Sequence, residues 1–420
     1  MKVLLLNQAF YPDEVATAQY AADLATALVS RGHAVTALCS GRGYDDPSRT
    51  FPPRDQWNGV EIVRVRGTGF GKSSKWRRGS DFLSFFLLAA LRLPSLGRFD
   101  ATVVLTTPPL ISTLGAVCKI LRGGRLIYWV MDMNPDQAVA AGWLKHSSFL
   151  TTVLRKLQRF SIQQSERVVV LDSFMRQRLI DTGTPAEKIV VVPPWSQEDI
   201  AYYDPAGRES FRRHHGWTDK FVVMYSGNHS PCHPLETLLN AAKRLRDRDD
   251  IVFAFVGGGS EHRSIRERVH RGEFKNVVCL PYQQRERLSA SLSAADLHAV
   301  TMGDAFVGIV SPSKIYNVLA IDSPVLYIGP ERSHVREAFD AIECEHLLYA
   351  ATHNDVERVV AHVVEAARIV KVDRIRKPYS RFSRDRLIPA LVAAITDEIL
   401  EDAACLKITE GATNTGNSNA

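Results

Sequence analysis

Short apolar runs alternate with stretches of helical period along most of the chain, and this alternation excludes most folds. Residues 3–6, 61–65, 101–105, 126–130, 168–171 and 189–192 each read as a buried strand, being nearly continuous aliphatic runs too short for a helix. Between the first two, Ala21, Leu24, Ala25 and Leu28 recur at helical spacing within residues 18–30, with Gly32 as the stop. Strands apolar on both faces need helices on both faces, which is a doubly wound parallel sheet. The series breaks at Pro193-Pro194-Trp195, since tandem prolines stop both helix and ladder, and the polar stretch to Gly216 reads as a linker. It resumes at 221–225, 252–256, 277–280, 297–300 and 325–328. The expected fold is α/β, with two doubly wound Rossmann-like domains facing a central cleft. Such sheets carry their chemistry in the loops beyond the carboxyl ends of the strands. The expected boundaries are a first domain at 1–195, a linker at 196–216, a second domain at 217–383 and a helix at 384–405 returning to the first domain. A small, polar tail at 406–420 is expected to be disordered.

A chain of 420 residues, 45% of them hydrophobic, is long enough to bury two cores. Its six cysteines (Cys39, Cys118, Cys232, Cys279, Cys344, Cys405) lie far apart with no Cys-x-x-Cys pair, and they read as reduced thiols. Cys232 with His229 and His233 lacks a fourth ligand at zinc spacing. The apolar start at residues 3–6 is too short for a signal peptide, so a cytoplasmic location is expected. No apolar run in the sequence reaches the ~20 residues that cross a bilayer. A net charge of +6 and a pI near 9.0 favour anionic partners. Nucleic acid is not among them, because the basic residues are scattered and lack interleaved aromatic platforms.

Toward the C-terminal third, Ser311-Pro312-Ser313-Lys314 opens an apolar helical stretch. A proline in the first turn, a hydroxyl and a lysine make a seat for a diphosphate, since free amides, the helix dipole and an ammonium then face one anion. An ordinary capped helix uses the same residues, and these alone do not separate the two. Other stretches also stand in loops after predicted strands. Phe10-Tyr11-Pro12-Asp13-Glu14-Val15-Ala16-Thr17-Ala18 follows the first strand, and Trp129-Val130-Met131-Asp132-Met133-Asn134-Pro135-Asp136 ends the strand at 126–130. A carboxylate at Asp132 can take a hydroxyl proton or orient a sugar, and Asp136 has the position of a helix cap. Tyr225-Ser226-Gly227-Asn228-His229-Ser230-Pro231-Cys232-His233-Pro234 carries a glycine that lets the backbone turn under a phosphate. Val256-Gly257-Gly258-Gly259 is a tight turn, and Leu280-Pro281-Tyr282-Gln283 follows the strand at 277–280.

In this order, over roughly residues 1–400, these stretches resemble the GT-B glycosyltransferases of family 4, retaining enzymes of bacterial surface-polysaccharide synthesis. The resemblance implies a first domain on the acceptor side and a second that binds a nucleotide-diphosphate sugar, with a UDP-sugar favoured. It implies Asp132 and Lys314 as catalytic residues; Gly227, Asn228, Ser313 and Lys314 on the donor phosphates; Gly258, Tyr282 and Asn317 on the nucleoside; and Thr17, Asp136 and His229 toward the acceptor or the donor sugar. Asp296, in Ala294-Ala295-Asp296, supports the sheet. No metal and no cofactor are expected, because protein groups neutralise the departing diphosphate. The chain departs from the family in several places. Ala16, Thr17 and Ala18 replace glycines, Val307 replaces an acid, with Asp304 three residues away, and Asn317 replaces a Glu. Ser230 to Pro234 replace a glycine-rich, basic continuation for which His229 or His233 can substitute. Two other readings stand beside the transferase: a nucleotide-sugar epimerase or hydrolase on the same fold, and a non-catalytic nucleotide-sugar binder.

Lys72, Lys75, Trp76, Arg77 and Arg78 precede the Phe/Leu-rich residues 82–91. Cations, an interface-seeking Trp and an apolar helix side by side suit a monotopic membrane contact. With a lipid-linked glycan acceptor in view, the expectation is a cytoplasmic protein peripheral to the inner membrane. It would dock on the inner leaflet through these five residues and exposed positions among Phe82, Phe85 and Phe86.

Overall fold

The computed structural model describes residues 1–71, 74–197, 199–342, 344, 347–369 and 380–397. Lys72, the end of the predicted C-terminal helix beyond 397 and the tail at 406–420 lie outside the described residues. The chain divides into two compact units. The first holds Met1–Pro193, the short segment Gly308–Ser311 and the residues from Leu387 on; the second holds Pro194–Val307 and Pro312–Arg386.

Eight strands form the sheet of the first unit: β1 (Lys2–Leu6), β2 (Ala34–Ser40), β3 (Arg54–Trp57), β4 (Val60–Val65), β5 (Ala101–Val104), β6 (Arg125–Trp129), β7 (Arg167–Val170) and β8 (Ile189–Val191). Their order is β3-β4-β2-β1-β5-β6-β7-β8, parallel except for the β3–β4 pair. Leu4, Leu6, Leu38, Val63, Val104 and Leu126 face one layer of the core, and Phe85 and Ala89 of the helix Lys75–Arg92 pack into it. The helix Arg384–Thr396 buries Leu387, Leu391 and Ile395, and Asp397 just after it pairs with Arg125 at 2.6 Å.

The second sheet has six strands, all parallel: β9 (Phe221–Asn228), β10 (Ile251–Gly258), β11 (Val277–Leu280), β12 (Leu297–Thr301), β13 (Val325–Ile328) and β14 (Leu348–Ala351), in the order β11-β10-β9-β12-β13-β14. The stretch expected to be a linker differs in the structure. Within 196–216 lies the helix Pro205–His214, whose N-cap Asp204 accepts a hydrogen bond from the Gly207 amide at 2.8 Å. Arg208 and Arg212 of this helix grip the buried Asp296 carboxylate, Arg212 at 2.9 Å, and the Val222 N–H donates to the same group at 2.8 Å. Two of its arginines serve a buried carboxylate rather than solvent, and the segment belongs to the second unit.

Strand order fixes where a ligand belongs. β1 lies between β2 and β5, and β9 lies between β10 and β12, so the order reverses at these two strands. The loops beyond their carboxyl ends splay apart and leave a crevice. The last residues of β9 and the loop after it carry Gly227 to His233, and the segment after β12 leads to Lys314.

Candidate functional site

In the second unit, Lys314 begins the helix Lys314–Ala320, with Ser313 at its N-cap. The Lys314 stem is partly exposed, but its Nζ is buried, has no hydrogen-bond partner, and sits 3.6 Å from the centre of the Tyr225 ring. Burial holds this amine well below the ordinary lysine range. Gly227, at φ 128°, lies directly against it: a Cβ there would meet Lys314 Cε at 3.5 Å and Nζ at 3.6 Å. A side chain at Gly257 would overlap the Gly227 carbonyl, and one at Gly259 would overlap the His229 carbonyl. These glycines let β9 and β10 run close together up to the crevice.

His229 is wholly buried beside this lysine, edge-on to Tyr225 at 4.6 Å and to His262 at 4.8 Å between ring centres. Its Nδ1 bonds the Gly227 carbonyl at 2.9 Å, while its Nε2 has no partner. Burial, then His262 and Lys314, push its pKa down to about 3. His233 bonds the Thr301 carbonyl through Nδ1 at 2.8 Å, and burial and Lys314 hold it near 3 as well. Gly258 and Tyr282 also come together, since a Cβ at Gly258 would stand 2.8 Å from Tyr282 Cε2; the tyrosine is exposed, as a rim residue is. Asn228 is exposed, with its Oδ1 beside Gly259.

In the first unit, Asp132 follows β6. Its Oδ1 accepts from Gln137 Nε2 at 3.3 Å, and the Met133 N–H donates to the Ile309 carbonyl at 2.9 Å. Burial lifts the Asp132 carboxyl to about 6, against the opposing pull of the Arg78 charge. Arg78 donates to Tyr44 Oη at 2.7 Å and lies over the Tyr44 and Phe82 rings. The Tyr44 backbone is fastened by Asp13, whose carboxylate accepts its N–H at 3.1 Å. Thr17 is half-buried in the first turn of the helix Ala16–Ser30.

Several expected residues are otherwise engaged. Asp136 is the first residue of a short helix, not its cap. It is clamped by Arg155 at 2.8 Å and Arg178 at 3.3 Å, so its charge is spent within the first unit. Asn317 gives its Oδ1 to the Gln197 N–H at 3.0 Å and ties down the segment entering the second unit. Asp304, considered for the place of the missing acid, is exposed in a 3-10 turn. Arg78 turns inward to Tyr44 instead of toward a membrane, and Phe85 is buried against the sheet at 1% exposure. The sequence reading did not single out Tyr44, Gln137 or His334, which no local pattern marks; Tyr225 stood inside a quoted motif, but its ring's place under the lysine follows only from the β9 pleat.

Residues 16–195 match a family model described as a glycosyl transferase 4-like domain. Over 412 residues the chain is 22% identical to WcaI of Escherichia coli (strain K12), named for glycosyl transfer in colanic acid biosynthesis; the match covers 92% of this chain and 97% of that protein. Among solved structures, Anabaena HepE in complex with UDP and glucose superposes with a TM-score of 0.66 at 15% identity, covering 93% of this chain and 98% of that one. WaaG, a glycosyltransferase involved in lipopolysaccharide biosynthesis, superposes with a TM-score of 0.63 at 16% identity, covering 94% of this chain and all of that one. The chain is a glycosyltransferase of the GT-B fold, carrying a glycosyl transferase 4-like domain in its N-terminal half.

Proposed function

We propose that this transferase moves a sugar from a nucleotide-diphosphate donor, a UDP-sugar, to a hydroxyl of a glycan acceptor, with retention of configuration. The observation that carries the donor half is Lys314: an ammonium set against a glycine at a topological switch point, buried and without a counter-ion, is a site built for an anion that arrives later. HepE, of the same fold, holds UDP. In this reading Lys314, Ser313 and nearby amides neutralise the departing diphosphate in the role a divalent ion fills elsewhere, and Asp132 takes the acceptor's proton. Tyr282 over Gly258 offers a flat rim for the base. A thermal-shift series with UDP, GDP and ADP tests it. UDP at a hundredfold excess over its Kd should stabilise the protein by about 2.7 kcal/mol, and the others should do so far less. Stabilisation by none of them sinks the donor reading. Consumption of a UDP-sugar with no acceptor present favours the epimerase or hydrolase instead.

We further propose that the acceptor is lipid-linked and that the first unit works peripherally on the inner leaflet. The helix Lys75–Arg92 continues through a 3-10 turn, and the 22 residues Lys75–Leu96 are long and apolar enough to cross a membrane, contrary to the sequence expectation. Crossing would pull Phe85, Ala89 and Leu93 out of the core, so a helix lying in the interface is favoured. Its outer face presents Trp76, Leu83, Leu87 and Leu91, with Lys75 and Arg77 at the N-terminal end. The apolar surface extends to Ile120 and Leu121 of the helix Ser112–Arg122, whose Arg122 donates to the carbonyls of Pro94 and Gly97. Phe82 and Phe86 are half-buried and lie at its edge. At roughly 1 kcal/mol per cation near an anionic surface, the attachment should be weak and salt-sensitive. Wild-type protein should sediment with anionic liposomes at low salt, and a Leu83/Leu87/Leu91→Ser variant should not. Equal amounts of both in the supernatant refute the contact.

A further inference from the structure

The residues around Lys314 contain more titratable nitrogen than one phosphate-binding lysine requires. His229 and His233 follow β9, and His334 opens the helix His334–Ile342 after β13. Each gives one ring nitrogen to a backbone carbonyl: His229 to Gly227, His233 to Thr301 and His334 to Pro312. That bond fixes the tautomer and turns the other nitrogen away from the backbone. The second nitrogens of His229 and His334 are buried with no partner, as is Lys314 Nζ. No carboxylate pairs with any of the four groups among the described residues. Other titratable groups on the elements packed against them are Tyr225 and Cys232 around the β9 loop, His262 on the helix Ser260–His270 with Arg266 behind it and Glu261 in its first turn, Tyr282 after β11, Asp304 after β12, Tyr327 in β13, and Arg336 on the helix His334–Ile342. Glu261 and Asp304 carry the carboxylates among these, and neither pairs with an imidazole or with Lys314 among the described residues. Burial and mutual repulsion therefore leave the imidazoles uncharged in the free protein: His229 and His233 are held near 3 and His334 near 4, where burial is the cause. A buried, unprotonated ring nitrogen with no donor facing it is costly unless a proton or a donor reaches it.

We infer that this histidine cluster is a protonatable diphosphate grip: the donor's diphosphate binds together with protons drawn from solvent onto His229 and His233, with His334 behind them. The inference rests on the donor reading above and deepens it, since it concerns how the same site holds its anion. Two negative charges entering the pocket reverse the sign of the local field and raise the imidazole pKa values, and each new N–H then faces a phosphate oxygen. The grip takes the place of the fixed basic side chain and glycine amides that the Ser230 to Pro234 segment, with its two prolines, does not supply. Affinity must then rise as pH falls, because binding takes up protons, by about tenfold per pH unit for each proton taken up.

Calorimetric titration with UDP at pH 7, in buffers of different ionisation enthalpy, counts the protons. UDP's own ionisation and that of Lys314 enter the wild type and a His229→Gln/His233→Gln variant alike, so they cancel in the difference. The wild type should take up about two more protons per UDP than the variant, and its Kd should weaken about a hundredfold more between pH 6.5 and 7.5. If circular dichroism shows the double variant unfolded, the two single variants are compared in the same way. Equal proton counts and equal pH slopes, with UDP bound by both proteins, overturn the inference while leaving the donor reading in place. Failure of the wild type to bind either UDP or GDP overturns both.

Discussion

Replacing Lys314 by alanine should lower turnover by about 10² to 10³ without lowering the melting temperature. The rate loss is what removing one preorganised donor to a developing anion typically costs. The unchanged or raised stability follows from the lysine's surroundings. Its Nζ is buried, bonds to nothing and is offset only by the face of the Tyr225 ring. The folded pKa lies well below the ordinary value, so the charged form is disfavoured in the native state. A depressed lysine opposes folding at every pH below its unfolded value, and at pH 7 the alanine variant is relieved of that cost. Initial rates with labelled donor and a calorimetric scan decide the matter together. An undiminished rate removes Lys314 from the reaction, while a large drop in melting temperature would show that the side chain holds the fold and that its site is not waiting for an anion. Arginine should not restore activity, because its wider fork has no room over the Tyr225 ring, whose centre already lies 3.6 Å from the lysine Nζ.

The parallel sheets were legible in the sequence because their strands are buried on both faces, and continuous aliphatic runs such as residues 3–6 and 221–225 announce that burial without any partner being known. β2, Ala34–Ser40, was not recognised although it pairs with β1: its Ala, Thr, Cys and Ser side chains are small, and its place next to the central strand is a tertiary fact. The two-residue turn at Asn58 and Gly59 in the β3–β4 hairpin and the edge strand β14 likewise depend on neighbours. The glycine and lysine of the candidate site could be read because a switch point needs a close-approaching backbone and an anion needs a cation. What those residues touch could not be read. Asp136 and Asn317 stood in the expected motifs, yet their partners Arg155, Arg178 and Gln197 lie 19, 42 and 120 residues away. A side chain's availability for ligand is decided by such distant groups. The same holds for Arg78, which composition placed in a basic membrane patch and which Tyr44 draws inward from 34 residues away.

Substituting asparagine for Asp132 should abolish most of the activity and at the same time stabilise the protein above neutral pH. As the group that takes the acceptor's proton, the carboxylate contributes about 10² to 10⁴ to the rate. Asparagine keeps the shape and still offers Gln137 an oxygen, so the loss reports chemistry rather than collapse. The stability gain comes from the carboxyl's environment. Its folded pKa of about 6 exceeds its ordinary value of 3.8, because burial outweighs the Arg78 charge. With the folded value raised, the fold favours the protonated form; the penalty is fully present above pH 6 and fades as pH falls through 6 toward 3.8. At pH 8 the asparagine variant should therefore be more stable by roughly 2–3 kcal/mol, and at pH 4 the two proteins should nearly coincide. The wild-type rate should climb through pH 6 and level off above it. A variant as active as wild type refutes the base assignment. A lost rate without any break near pH 6 in the wild-type profile assigns Asp132 to orienting the sugar instead, since a carboxylate that only positions substrate does not have to be emptied of its proton by the step it serves.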